Sequence, residues 1–264
     1  MVVDGMAVIS DTVPVDRVGG FAVTPLVLGV GTAVSVVALS IVFWLLVEAW
    51  NGRLSWRSLR WVIAVDMVGW TVWMLVVAVI RPQLDGVPIA VAAALAGFAA
   101  VLLCVTPRML GLTLGRTLVI AGVFTAAVFS PVAIALFSLD GGVLGSGLAT
   151  LDLGGALPVL VTSGAGSAAI LLLARRVSPP EQPVEESAPR ASATALAGLA
   201  LVTWLLWLLW LVGMESAIDE ATPRILVSGV AAPLASLAVW MIAQRAVHAT
   251  TTMSGAVGGL VCGL

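Results

Sequence analysis

Lysine and tyrosine are absent from this chain, and His248 is its only histidine. Charged residues make up 10% of 264 positions, while 61% are hydrophobic and mean hydropathy is +1.15. A soluble domain of this size needs a larger polar surface; globular chains carry about 25% charged residues. The remaining apolar surface must therefore meet lipid or other apolar helices. A net charge of -2 gives no argument for nucleic-acid binding. Without lysine there is no glycine-rich phosphate loop closed by lysine. With a single histidine outside the apolar segments, a Ser/His/Asp set near the membrane core is excluded. No enzyme signature and no cofactor motif is present. Cys104 and Cys262 are the only cysteines, and no CxxC or His/Cys cluster exists. A structural zinc site, which needs about four ligands, is not expected, nor is a disulfide framework.

What is abundant is long apolar stretches. A hydrocarbon core about 30 Å thick takes roughly 20 helical residues to cross. Segments 25–47, 61–80, 87–107, 117–139, 153–174, 194–213 and 225–243 qualify. A final run, 253–264, is shorter and reads as an eighth helix interrupted at Leu264. The expected fold is all-α: a polytopic transmembrane helix bundle of about seven or eight helices. Residues 1–24 read as a polar tail outside the membrane, because Asp4, Asp11 and Asp16 against Arg17 do not make the basic start of a secretory signal. Pro131, Pro158 and Pro233 fall inside apolar runs, which membrane helices tolerate. Small residues crowd 163–169 and 254–259, where helix backbones can approach closely.

Arginine placement predicts orientation. Arg53, Arg57, Arg60, Arg108, Arg116, Arg175, Arg176, Arg190 and Arg245 follow odd-numbered spans; Arg17, Arg81 and Arg224 lie on the alternate side. Positive-inside reasoning puts the odd-span loops in the cytoplasm of a cell membrane protein, with the N-terminus outside. Residues 177–193, rich in Pro, Glu and Ser, read as a disordered cytoplasmic linker. It separates a five-helix unit, 25–176, from helices six to eight, 194–264. Units entering from opposite sides are arranged as in inverted-repeat transporters.

Individual side chains carry competing readings. Asp66, six residues into the second span, is a proton or cation site by default for an intramembrane acid, or it sits near enough to the interface to reach water or Arg57. Asp152, before Leu153-Gly154-Gly155, is a helix N-cap or a cation attractor at an outer mouth. Trp204, Trp207 and Trp210 share one helical face that suits packing or lipid. Glu215, Asp219 and Glu220 read as a solvated loop that could raise cation concentration at the mouth. Trp44, Trp50, Trp56 and Trp61 read as an interfacial belt, and His248 as solvated.

Three stretches resemble the ammonium transporter family. Asp152-Leu153-Gly154-Gly155-Ala156-Leu157-Pro158-Val159-Leu160-Val161-Thr162-Ser163-Gly164 is similar to that family's fifth-helix motif, DFAGGTVVHISSG. Leu205-Leu206-Trp207-Leu208-Leu209-Trp210-Leu211-Val212-Gly213 resembles its sixth-helix pattern, LLWFGWFGFNAGS. Ser254-Gly255-Ala256-Val257-Gly258-Gly259-Leu260-Val261 resembles its eighth-helix SGAVAGLVAIT, and Thr106-Pro107 the end of its third helix. The order of the stretches and their placement on the matching helices add to the likeness, which runs from about residue 57 to 264. The resemblance implies an eleven-helix fold of two inverted repeats plus one helix, of which this sequence matches the first repeat and part of the second and is C-terminally incomplete, assembled as homotrimers with a pore through each subunit for ammonium or ammonia. It implies an outer cation–π site with Phe98 and Trp210 on two aromatic positions and Asp152 on the bracing acid. The serine of that site falls on Ala217. The gating phenylalanines fall on Leu102 and Gly213, the fifth-helix histidine on Leu160, and the inner glutamate of the third helix on Arg116. A leucine cannot accept or donate the proton that an imidazole pair handles, so the expectation is a divergent ammonium transporter-like channel. The alternatives are a non-conducting structural or regulatory membrane subunit, and a channel for another small neutral solute.

Overall fold

The computed structural model describes residues 25–51, 56–80, 89–137, 152, 155–177, 191–214, 218 and 222–264. Among these there is no strand, and seven helices are long and apolar enough to cross a membrane. They are α1 (Pro25–Trp50), α2 (Trp56–Ile80), α3 (Ile89–Met109), α4 (Leu114–Phe137), α5 (Leu157–Val177), α6 (Ala193–Met214) and α7 (Thr222–His248), followed by the shorter α8 (Met253–Cys262). The chain is a multi-pass membrane protein. The 1–24 tail, most of the 177–193 linker, and Arg17, Arg53, Arg81 and Arg190 lie outside the described residues.

Proline shapes two of the helices. In α4 the turn Thr125–Phe129 is π-helical and directly precedes Ser130-Pro131. Proline has no N–H and its ring crowds the carbonyl four residues back; a widened turn relieves both, and Ser130 Oγ donates to the Thr125 carbonyl at 2.7 Å. In α5 the first turn, Leu157–Val161, is also π-helical, with Pro158 at its start, where no N–H is needed.

At the centre is α3, whose alanine- and glycine-rich face lets four neighbours approach. Residues Val91 to Val101 are buried almost without interruption. It packs on α1, α2, α4 and α5, while α1 makes its most extensive contact with α6. The α2–α3 crossing is backbone on backbone: a Cβ at Gly69 would lie 2.7 Å from the Ala96 carbonyl oxygen. By contrast α7 touches only α6 and α8 to any extent and is mostly exposed, a surface suited to lipid.

The helix ends sort into two sets. Arg108 at the end of α3 pairs with Glu48 at the end of α1 (Nε to Oε1, 3.1 Å) and lies 4.6 Å over the ring of Trp61 at the start of α2. Leu46 and Ala49 pack with Leu196 and Ala200 near the start of α6. At the opposite end, Gly213 of α6 abuts Thr32 of α1, and Gly155 before α5 meets Leu95 and Phe137. The first end gathers Arg57, Arg60, Arg108, Arg116, Arg175, Arg176 and Arg245; of the described arginines only Arg224 lies at the other. Gly255 and Gly259 of α8, and Gly263 just after it, lie against Gln244, Trp240 and Pro233 respectively, so α8 re-enters antiparallel to α7 from the arginine-rich end.

Two expectations are corrected. Trp44 does not belong to an interfacial belt: it is 1% exposed and packs with Val62, Val65 and Cys104. Hydropathy also ended the first span at 47, whereas α1 runs three residues further and takes Glu48 into the interior at 4% exposure.

Candidate functional site

The site is a partly open cavity of about 350 Å³ lined by residues of α1, α3, α5, α6 and α8 and by Leu264. It sits at mid-depth, since Leu39, Phe98 and Thr203 are each near the middle of their helices. Leu39 and Phe43 form the α1 wall, and Phe98 and Leu102 the α3 wall. From α5 come Leu160, carried on the π-helical turn, then Ser163 and Ser167 one and two turns on. Thr203 and Trp207 complete the α6 side, and Cys262 of α8 stands at the rim, exposed. Among the described residues, no arginine, aspartate, glutamate or histidine lines it.

Three residues assigned to one pathway by resemblance, Phe98, Leu102 and Leu160, thus line one space although they come from separate stretches of sequence. A fourth, Trp210, stands behind the wall: its indole meets Phe98 edge-on, with centroids 5.8 Å apart, and Phe43 meets the same ring edge-on at 6.3 Å. Trp210 is 1% exposed and its Nε1 has no partner. Gly213 is not part of this lining. It is where α6 crosses α1, so closely that any Cβ would overlap Thr32 Oγ1.

Asp152 caps α5 with both carboxylate oxygens, accepting from the N–H of Ala156 at 2.8 Å and of Leu157 at 2.7 Å. Gly155, at φ 72°, supplies the left-handed turn that lets the chain fold back under that carboxylate. Asp66 neither lines the cavity nor reaches Arg57. It is 7% exposed between α2 and α3, with Ser40 in hydrogen-bonding reach and Oδ1 unpartnered. Gly97 makes that space: a Cβ there would lie 2.5 Å from Asp66 Oδ1. Arg116 is exposed at the start of α4, and His248 is exposed at the end of α7. Trp204 donates to the Gly229 carbonyl at 2.9 Å, joining α6 to α7. Glu215, Ala217, Asp219 and Glu220 lie outside the described residues.

The Glu48–Arg108–Trp61 cluster was invisible in the sequence. Its one available signal was the acid at position 48, a single residue beyond an apolar run, where helix and loop are equally consistent with hydropathy. The cavity hydroxyls Ser163, Ser167 and Thr203 were hidden too, because serine and threonine are ordinary in apolar helices.

Together these features define a class: a polytopic membrane helix bundle with an intramembrane cavity whose described lining is mostly apolar side chains with a few hydroxyls. No protein-family model, curated protein or solved structure matches the chain.

Proposed function

We propose that this chain is an ammonium transporter-like membrane channel that passes ammonia, the neutral partner of ammonium, through the cavity between α1, α3, α5 and α6. One observation carries the reading: Phe98, Leu102 and Leu160, positions that the resemblance assigns to a single conduction path, line a single space. The chemistry of the walls favours the uncharged species. An ion stripped of water in an apolar interior without a counter-charge is strongly disfavoured, and among the described residues no arginine, aspartate, glutamate or histidine side chain lines this cavity. Leu160 offers no proton relay, so the proton of ammonium stays behind at the mouth. Positive-inside reasoning faces the arginine-rich end to the cytoplasm and the Asp152 end outward. Assembly as a homotrimer in the cell membrane belongs to the same resemblance.

The test is stopped-flow alkalinisation of proteoliposomes loaded with a pH dye and mixed with an ammonium salt. Wild-type vesicles are expected to alkalinise faster than empty ones. Leu160→Trp, which fills the cavity, is expected to return the rate to that of empty vesicles while the protein still elutes as a single species. Wild-type rates equal to those of empty vesicles would sink the proposal and leave a non-conducting membrane subunit as the reading.

A further inference from the structure

The cavity hydroxyls have a definite polarity. Ser163 Oγ donates to the carbonyl of Val159 one turn back, and Thr203 Oγ1 donates to that of Leu199 at 2.8 Å. A hydroxyl has one proton and two lone pairs. With the proton committed backward along its own helix, each of these two groups has only lone pairs left for a ligand. Both residues line the cavity, with little of their surface exposed: 3% for Ser163 and 1% for Thr203. They stand on facing helices, α5 and α6, with Ser167, whose hydroxyl can take either role, on the α5 side. Apolar side chains and aromatic rings make up most of the remaining wall.

Such a site recognises a molecule by an N–H or O–H that it donates, and disfavours ions of either sign because none of its described lining side chains is an arginine, aspartate, glutamate or histidine. Its volume also decides something. About 350 Å³ falls in the ~300–1,000 Å³ range of small-molecule sites and far exceeds the space one ammonia needs.

We infer that the cavity binds a neutral solute with an apolar body of several carbons and a single hydroxyl or N–H donor, held by Ser163 and Thr203. This rests on the reading of the cavity as the solute site and names the solute class it takes.

Cys262 provides a native reporter, because it lines the cavity and is exposed, whereas Cys104 is buried and donates to the Thr117 carbonyl. The experiment measures the rate of Cys262 alkylation by a maleimide in full-length protein in nanodiscs, with probes matched by their concentration in the bilayer. Benzyl alcohol is expected to slow alkylation. Ethylbenzene, of similar shape but without a donor, should need about five- to tenfold more for the same protection, the worth of one hydrogen bond. Benzoate and benzyltrimethylammonium should give none. In Ser163→Ala/Thr203→Val the two neutral probes should become equivalent while the rate without ligand is unchanged. Equal protection by benzyl alcohol and ethylbenzene in wild type, or protection by either ion, would overturn the inference without recourse to any variant. Faster ammonia entry with no protection by benzyl alcohol would also overturn it while leaving the ammonia reading standing. Protection by benzyl alcohol with no ammonia flux supports it and removes the ammonia reading.

Discussion

The ring of Phe98 and the indole of Trp210 meet edge-on, 5.8 Å between centroids at an interplanar angle of 85°, which ties the cavity wall on α3 to the α6 helix behind it. Aromatic pairs in this geometry contribute about 0.5–1.5 kcal/mol beyond their buried area. A double-mutant cycle of Phe98→Leu and Trp210→Leu, followed by thermal unfolding in detergent, is expected to return a coupling energy in that range. A coupling of zero would mean the two rings act independently and the wall is held by other contacts.

Helix approach at Gly69 predicts a steep cost for one added methyl. The atoms in the way belong to the backbone of α3 and cannot rotate aside. Gly69→Ala is expected to destabilise by about 1–3 kcal/mol, the usual cost of overpacking. Gly198→Ala meets nothing within 4 Å and should be neutral or stabilising by up to about 1 kcal/mol through helix propensity. Denaturation midpoints of the two variants side by side check the contrast.

Glu48 and Arg108 form a lopsided pair: the acid is 4% exposed, the base 23%, and Glu48 Oε2 has no partner. Removing the arginine strands a buried carboxylate, so Arg108→Leu should destabilise by on the order of 2–4 kcal/mol. Glu48→Leu removes the group that needed neutralising and should cost much less, and adding it to Arg108→Leu should restore much of the lost stability. Comparable losses from both single variants would show that the packing of Arg108 on Trp61 matters more than the charge.

Loss of the Asp152 cap should weaken α5 locally. Asp152→Ala leaves the N–H groups of Ala156 and Leu157 without their acceptor and is expected to cost about 0.5–2 kcal/mol, with Asp152→Asn retaining part of it. Hydrogen exchange at Ala156 and Leu157 should accelerate in the alanine variant and hardly change in Phe98→Leu. If ammonia entry falls in Asp152→Asn at unchanged exchange, the carboxylate charge itself serves the mouth.

Segregation of the helix ends gives a topology test. Cysteines placed at Arg57, Arg116 and Arg245 in a Cys262→Ser background should be labelled by an impermeant reagent from one face of the membrane only. A cysteine at Arg224 should be labelled from the other. Labelling of Arg57→Cys and Arg224→Cys from the same face would contradict the helix arrangement.

The seven spans were legible because hydropathy over twenty residues is a sum that tolerates single exceptions; the observed bounds differ from the expected ones by a few residues at each end. Errors fell where one residue decided the matter. Glu48 fell one residue beyond the expected span, which ended at 47, yet it is buried and paired with Arg108, which lies over Trp61. Trp44 looked interfacial from its place near a span end, and only the packing of Val62, Val65 and Cys104 around it shows otherwise. Asp152 was readable as a cap because that role is local, four and five residues from its partners. The resemblance motifs named Phe98, Leu102 and Leu160 one by one but could not bring them together.

By itself, then, the chain's composition and periodicity determined an all-helical membrane protein and the parity of its arginine-bearing ends, since both depend on free energies of transfer that add along the sequence. Which helices touch, that a largely apolar cavity opens between them, and that its hydroxyls offer lone pairs were decided only in three dimensions. Those features depend on contacts between α1, α3, α5 and α6 across more than a hundred residues, and on glycines whose missing side chains matter only once a second backbone arrives beside them.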